Sequence, residues 1–336
     1  MLYVTCMFTA AAFIACSAMA QGMNVGFVKV QIPNGAEPPL TAGIWYPTDA
    51  APSVHSIELF EQTVAVNAPV KGNGLPLVVI SHGGGGSFAS HYDTALALAK
   101  AGFVAAAISH AGDTYDDQSK VLQLWRRPEQ LRILVNYMLH DWPQHERLDA
   151  NRIGAFGFSN GGFTVMVAAG GIPDLNDVGP YCEVHTDDDL CQALRKAKID
   201  PKDVGDHVPA GAWSSDPRIK AIVVAAPAFA FTFTKDGLKN LRAPIQLWRA
   251  ADDHHQRNPY YEEFIRQRLP QAPEYHVVSG AGHYDFLPPC SASLAAVNPM
   301  ACADPAGFHR GTFHEEFNDD IVRFFRRTLN VPQKRW

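Results

Sequence analysis

From Leu77 onward the chain alternates short apolar runs with segments of helical periodicity, and that rhythm constrains its fold more than any other feature. Residues 77–81, 103–109, 152–156, 220–225, 244–248 and 274–278 are apolar runs too short for helices, several of them β-branched, and read as buried strands. Between them, residues 88–101 carry Ala and Leu at helical spacing. Pro128 stands where a first helical turn begins, ahead of an apolar face of Leu131, Leu134, Val135, Met138 and Leu139. Residues 159–169, 259–268 and an amphipathic 313–329 read as further helices. Alternation over about 250 residues predicts a mostly parallel central sheet with helices on both faces. Residues 24–32 and 40–46 predict an antiparallel start, and the proline-bearing 47–76 is ambiguous. Ligands in such sheets bind outside the carboxyl ends of the strands, so chemistry is sought in the loops that follow them.

One stretch breaks the rhythm. Residues 170–217 are polar, hold Cys182 and Cys191, and separate a helix from a strand. They read either as a cap-like insertion over the site or as a surface excursion. Residues 21–336, this insertion included, read as a single α/β domain. Of the 336 residues 47% are apolar and 18% charged, a packed globular composition. The net charge of −6, with no long basic run, argues against nucleic acid or an anionic membrane surface as a partner.

Residues 1–20, MLYVTCMFTAAAFIACSAMA, contain no charged side chain and end in Ala18-Met19-Ala20. That pattern predicts a signal peptide cleaved near Ala20 and export to a periplasm or the exterior. A buried N-terminal helix and a lipid-anchored start at Cys16 are the alternatives. Cleavage would leave four of the six cysteines. Four allow three pairings. Neighbour pairing, Cys182 with Cys191 and Cys290 with Cys302, closes two short loops and suits an oxidising compartment.

The run SHGGGGSF puts four glycines, Gly83 to Gly86, after a strand. Gly84 to Ala89 fits a dinucleotide pattern, but the next strand ends Ile108-Ser109-His110 with no carboxylate for a ribose, and residues 83–91 have no lysine for a phosphate. A stronger signal is Gly157-Phe158-Ser159-Asn160-Gly161, a G-x-S-x-G with a strand before it and a helix after. A nucleophilic serine must stand clear of the sheet on a sharp turn, and glycines two residues away on each side relieve the crowding. A serine hydroxyl needs a base, and His283, in a Gly-Ala-Gly-His turn past strand 274–278, lies at the right edge of the sheet. His276 lies inside that strand and reads as structural; His254 and His255 lie too close to the acid. The acid ends the preceding strand: Asp253, with Asp252 as the alternative and Asp285 as a distractor. The glycine loop then serves an oxyanion, its Gly84 amide (Gly83 second) paired with that of Asn160. His82 reads as a brace for the loop. Gly83, Phe158, Trp213, Phe229, Trp248 and Tyr284 are candidate pocket residues, with Phe231 beside them. Asp113, Asp116, Asp117 and Asp187 to Asp189 lack a calcium-loop frame and read as solvated loop charges.

The segments VVISHGGGG, IGAFGFSNGGF, PIQLWRAADDHH and GAGHYDFLPPC occur in the order found in α/β-hydrolases. The chain resembles that superfamily, and within it the dienelactone-hydrolase-like and platelet-activating-factor-acetylhydrolase-like serine esterases. The resemblance covers Leu77 to Cys290. It implies an α/β-hydrolase fold, Ser159 as nucleophile, Asp253 as acid, His283 as base, and no metal or cofactor. Dienelactone hydrolases proper use a cysteine, so a serine here points to ordinary small, aromatic or short-chain esters. An amidase or peptidase on the same residues is the alternative reaction, and a noncatalytic binding protein the alternative class.

Overall fold

The parallel strands form where apolar residues must be hidden on both faces at once. In Leu75–Ser81 all seven residues are buried. Leu77 and Val79 point to one apolar core, Val78 and Ile80 to the other. A period of two places alternate side chains on opposite faces, so one run serves both layers.

The computed structural model describes residues 23–331; the expected signal peptide lies outside them. Four strands come first: β1 (Asn24–Asn34), β2 (Glu37–Thr48), β3 (Ser53–Ile57) and β4 (Phe60–Val66). Then follow β5 (Leu75–Ser81), α1 (Tyr92–Lys100), β6 (Val104–Ile108), α2 (Arg126–His140), β7 (Leu148–Phe158) and α3 (Asn160–Ala168). The insertion holds α4 (Val178–Val184), α5 (Asp189–Lys196) and the single turn α6 (Asp203–Asp206). The chain continues through β8 (Ile219–Ala225), α7 (Lys235–Leu238), β9 (Ile245–Ala250), α8 (Glu262–Arg266), β10 (Glu274–Val278), α9 (Ala292–Val297) and α10 (Arg310–Thr328).

The ten strands make one sheet in the order β10-β9-β8-β7-β5-β6-β2-β1-β4-β3. From β10 to β6 every neighbour is parallel; β2 joins β6 and β1 antiparallel. The ambiguous stretch 47–76 supplies β3 and β4, with β4 parallel to β1. Its prolines fall at or outside the ends of those strands, as ladder bonding requires. One core holds Leu131, Leu134, Val135 and Met138 of α2 with Val165 and Met166 of α3. The other holds Ala95, Leu98 and Ala99 of α1 with Phe313, Phe317, Ile321, Phe324 and Phe325 of α10. Helices thus cover both faces. Among the described residues no helix is long and apolar enough to cross a membrane.

Cys182–Cys191 and Cys290–Cys302 are disulfide-bonded, the neighbour pairing expected. Loops this short gain about 2–3 kcal/mol by the chain-entropy argument.

Candidate active site

The loops after β5, β7, β9 and β10 meet at the carboxyl ends of parallel strands, where a sheet of this topology offers its crevice. β7 ends at Phe158 and α3 starts at Asn160, so Ser159 alone makes the turn, at φ 55° and ψ −119°. That is the left-handed half of backbone space, strained for an L-residue. Two glycines make the turn sterically possible. A methyl group on Gly157 would stand 2.0 Å from the Gly161 oxygen, and one on Gly161 1.9 Å from the Ser81 oxygen.

Asp253 follows β9 and His283 follows β10. His283 Nε2 lies 3.2 Å from Ser159 Oγ, and His283 Nδ1 lies 2.8 Å from Asp253 Oδ2. The other Asp253 oxygen accepts the amides of His255 and Gln256 at 2.8 and 2.7 Å. Burial pushes the Asp253 carboxyl up, but the charge and hydrogen bond of His283 and those two amides outweigh it and hold it below the usual range. An ionised Asp253 takes the Nδ1 proton as a hydrogen bond, which leaves Nε2 to accept from the serine hydroxyl. Asp252 is exposed. Asp285 is buried and braces the same turn: one oxygen accepts the Gly282 amide at 2.7 Å, the other Arg310 Nη2 of α10 at 2.9 Å. His276 stacks on Trp248 at 4.0 Å, away from the serine.

The glycine loop lies over the Ser159 turn. A Cβ on Gly83 would be 3.4 Å from Ser159 Cβ, and one on Gly84 2.9 Å from Asn160 Nδ2. The Gly85 amide donates to Asp113 Oδ1 at 2.8 Å and the Gly86 amide to the Gly83 oxygen at 3.2 Å. Among the described residues the Gly83 and Gly84 amides have no acceptor. The Asn160 amide, first of α3, has no intrahelical one.

What shapes this loop is a buried ion pair that the sequence reading misses. Asp113 is 2% exposed, not a solvated loop charge, and it pairs with Arg127, also 2% exposed. The Arg127 fork also donates to the His82 carbonyl oxygen, to Thr164 Oγ1 at 3.0 Å and to Ser81 Oγ at 3.4 Å. One guanidinium therefore ties the end of β5, the glycine loop and α3 together. His82 Nε2 accepts the His110 amide at 3.0 Å, so its Nδ1 carries the proton and donates to the Gly83 oxygen at 2.6 Å. Burial first, then the Arg127 charge, pushes both His82 and His110 well below the ordinary imidazole range, so both stay neutral.

The serine opens into a cavity of about 1190 Å³. Gly83, Gly84, Phe158, Asn160, Phe229 and Tyr284 line it. Trp213 and Trp248 do not. Trp248 sits on the α10 face of β9, edge-on to Phe317 at 4.9 Å. Trp213 lines a separate cavity of about 540 Å³ beside Ile219 and Pro244, at the amino ends of β8 and β9. Phe231 stacks on Tyr181 at 3.7 Å. The insertion contributes Leu190, Gln192, Ala193 and Lys196 of α5 to the cavity wall. It is held against the loop after Asp253 by three successive aspartates. Asp187 pairs with Arg257 at 2.7 Å, and Asp189 with His255 at 2.6 Å. Asp188, 1% exposed, accepts from Tyr181 and Tyr261 and caps α5. A charge triplet in a polar stretch signals solvent; only the fold brings two tyrosines to it.

Behind the site His91 is buried against Phe156 and Phe158, at 5.0 and 5.5 Å between ring centres. Neither ring nitrogen has a partner among the described residues. Burial lowers its pKa to about 4. Between the ordinary value near 6.5 and about 4 the unfolded chain therefore binds a proton that the folded one refuses, so stability falls as pH drops through that window. The loss amounts to about 3 kcal/mol at most. Urea unfolding at pH 8 and pH 5 should show His91→Leu gaining stability relative to wild type at the lower pH; an unchanged difference would contradict it.

Among solved structures the chain is similar to a ferulic acid esterase from Streptomyces cinnamoneus, with 16% identity, 96% of this chain and 94% of that chain covered, and a TM-score of 0.62. No family model and no curated protein matches the chain. The likeness is one of fold: a large, mostly parallel sheet with helices on both faces.

Proposed function

We propose that the protein is a serine carboxylester hydrolase working through an acyl-enzyme. The observation that carries this reading is the hydrogen-bonded series Ser159 Oγ, His283 Nε2, His283 Nδ1, Asp253 Oδ2 at the floor of a large cavity. His283 takes the serine proton as Oγ bonds to the ester carbonyl carbon. Negative charge moves to the carbonyl oxygen, where the amides of Gly84 and Asn160 are the proposed donors. His283 then gives its proton to the departing alkoxide as the carbon–oxygen bond breaks, leaving an acyl ester on Ser159. Water repeats the sequence: His283 takes its proton, the acid is released and Ser159 regains its hydrogen. Asp253 holds the tautomer and stabilises the imidazolium. The ferulic acid esterase likeness agrees with ester chemistry, and a serine at 159 favours ordinary esters over dienelactones. In this reading residues 21–336 form one domain, residues 170–217 act as a cap, and the chain is exported after cleavage near Ala20, in keeping with the two disulfides.

The test is turnover of p-nitrophenyl butyrate and its inhibition by a fluorophosphonate. Hydrolysis abolished by one equivalent of reagent per chain is expected. A folded protein that neither cleaves the ester nor consumes the reagent would overturn the reading.

A further inference from the structure

The segment that follows His283 is held unusually firmly for a surface excursion. Cys290–Cys302 closes it covalently. Ser291 Oγ donates to the Leu59 carbonyl, and Arg310 Nη1 donates to the Ala301 carbonyl at 2.7 Å. Arg310 is itself 3% exposed and paired with Asp285, which braces the His283 turn. Fastened at these points, the segment presents Leu294, Val297 and Met300, three residues apart, to the cavity that holds Ser159. Val297 is 66% exposed and Met300 67% exposed. Apolar side chains fixed in water at the rim of a cavity mark a surface with an occupant. The α5 part of the wall is mixed, with Gln192 and Lys196 beside Leu190 and Ala193. The cavity, at about 1190 Å³, exceeds the roughly 300–1,000 Å³ of ordinary small-molecule sites. A short acyl ester would leave most of it to water.

We propose that the Cys290–Cys302 segment is the apolar wall of the substrate site and that the substrates are esters bearing an extended apolar moiety of about eight carbons or more. This rests on the serine hydrolase reading and replaces the short-chain expectation drawn from sequence. Full burial of a methylene is worth about fourfold in binding. Partial burial of the four that separate a butyl from an octyl chain should give at least about tenfold.

The experiment measures kcat/KM for two pairs, p-nitrophenyl butyrate against octanoate and butyl against octyl acetate. The enzymes are wild type, the double variant Val297→Ser/Met300→Ser and the control Val184→Ser, whose residue is 75% exposed and outside the cavity. The expected result is a preference for the eight-carbon member in at least one pair, reduced about tenfold in the double variant and kept in the control. The pair that shows it assigns the wall to the acyl or the alcohol side. Turnover of the short esters without a chain preference, or a preference that survives the double variant, overturns the proposal and leaves the hydrolase reading standing. A double variant with altered sedimentation mass and unaltered selectivity makes the patch a contact between copies of the chain and also overturns it. Turnover of no ester at all overturns the hydrolase reading, and this proposal with it.

Discussion

Ser159→Ala is expected to lower kcat for ester hydrolysis by about four to six orders of magnitude while leaving the protein folded. The size follows from what the hydroxyl supplies. Without Oγ no acyl-enzyme forms, and His283 has no alcohol to deprotonate. Only ester binding and the oxyanion donors remain, and elsewhere such residues sustain about a thousandfold rate above water. The folded state should tolerate the change because the turn at 159 is imposed by its surroundings. The backbone at Gly157 and Gly161 is packed too closely for a Cβ at either, and α3 behind them is buried along its whole length. Alanine inherits the same strained φ that serine bears. The measurement is steady-state turnover alongside thermal unfolding. A Tm within a few degrees of wild type and a loss of only a few fold would place the nucleophile elsewhere.

Arg127→Ala is expected to destabilise the fold by about 3–5 kcal/mol, read from urea unfolding. The loss comes less from the missing attraction than from what is left behind. Asp113 would stay buried with no cation beside it, and the His82 carbonyl, Ser81 and Thr164 would lose a shared donor. Arg127→Lys should recover only part, because one ammonium cannot span the partners that the planar fork reaches. Replacing Asp113 and Arg127 together by apolar residues of similar size should recover more stability than either single change. Surviving protein should also lose turnover, since the same guanidinium holds both the glycine loop and α3. Equal stability of Arg127→Ala and wild type would mean that the pair shapes nothing.

The parallel sheet was legible because each core strand is a short apolar run buried on both faces, a pattern that belongs to little else. β3 and β4 were not, because β3 is five mostly exposed residues and β4 alternates buried and exposed ones over a few positions, in a stretch broken by prolines. Ser159, Asp253 and His283 could be picked from sequence since each follows a strand end, and the structure brings them together. The pocket was less readable. Position near a strand end does not say which face a side chain takes, so Trp248 turned to the α10 side and Trp213 to the far end of the sheet. Asp113 escaped because its partner lies fourteen residues on, in α2, and only packing buries the two together. Leu294, Val297 and Met300 escaped because they lie in a short loop that the sequence marks only by its two cysteines, and only the fold sets them at the rim of the cavity.

Hydrolysis by this route passes through a covalent intermediate at one side chain. Mixing enzyme with excess p-nitrophenyl butyrate, quenching in acid during turnover and mapping the peptides by mass spectrometry tests that directly. A butyryl increment is expected on the peptide spanning β7 and α3, localised to Ser159 and missing in Ser159→Ala. Acylation of a different residue, or rapid turnover with no acylated peptide at any quench time, would contradict it.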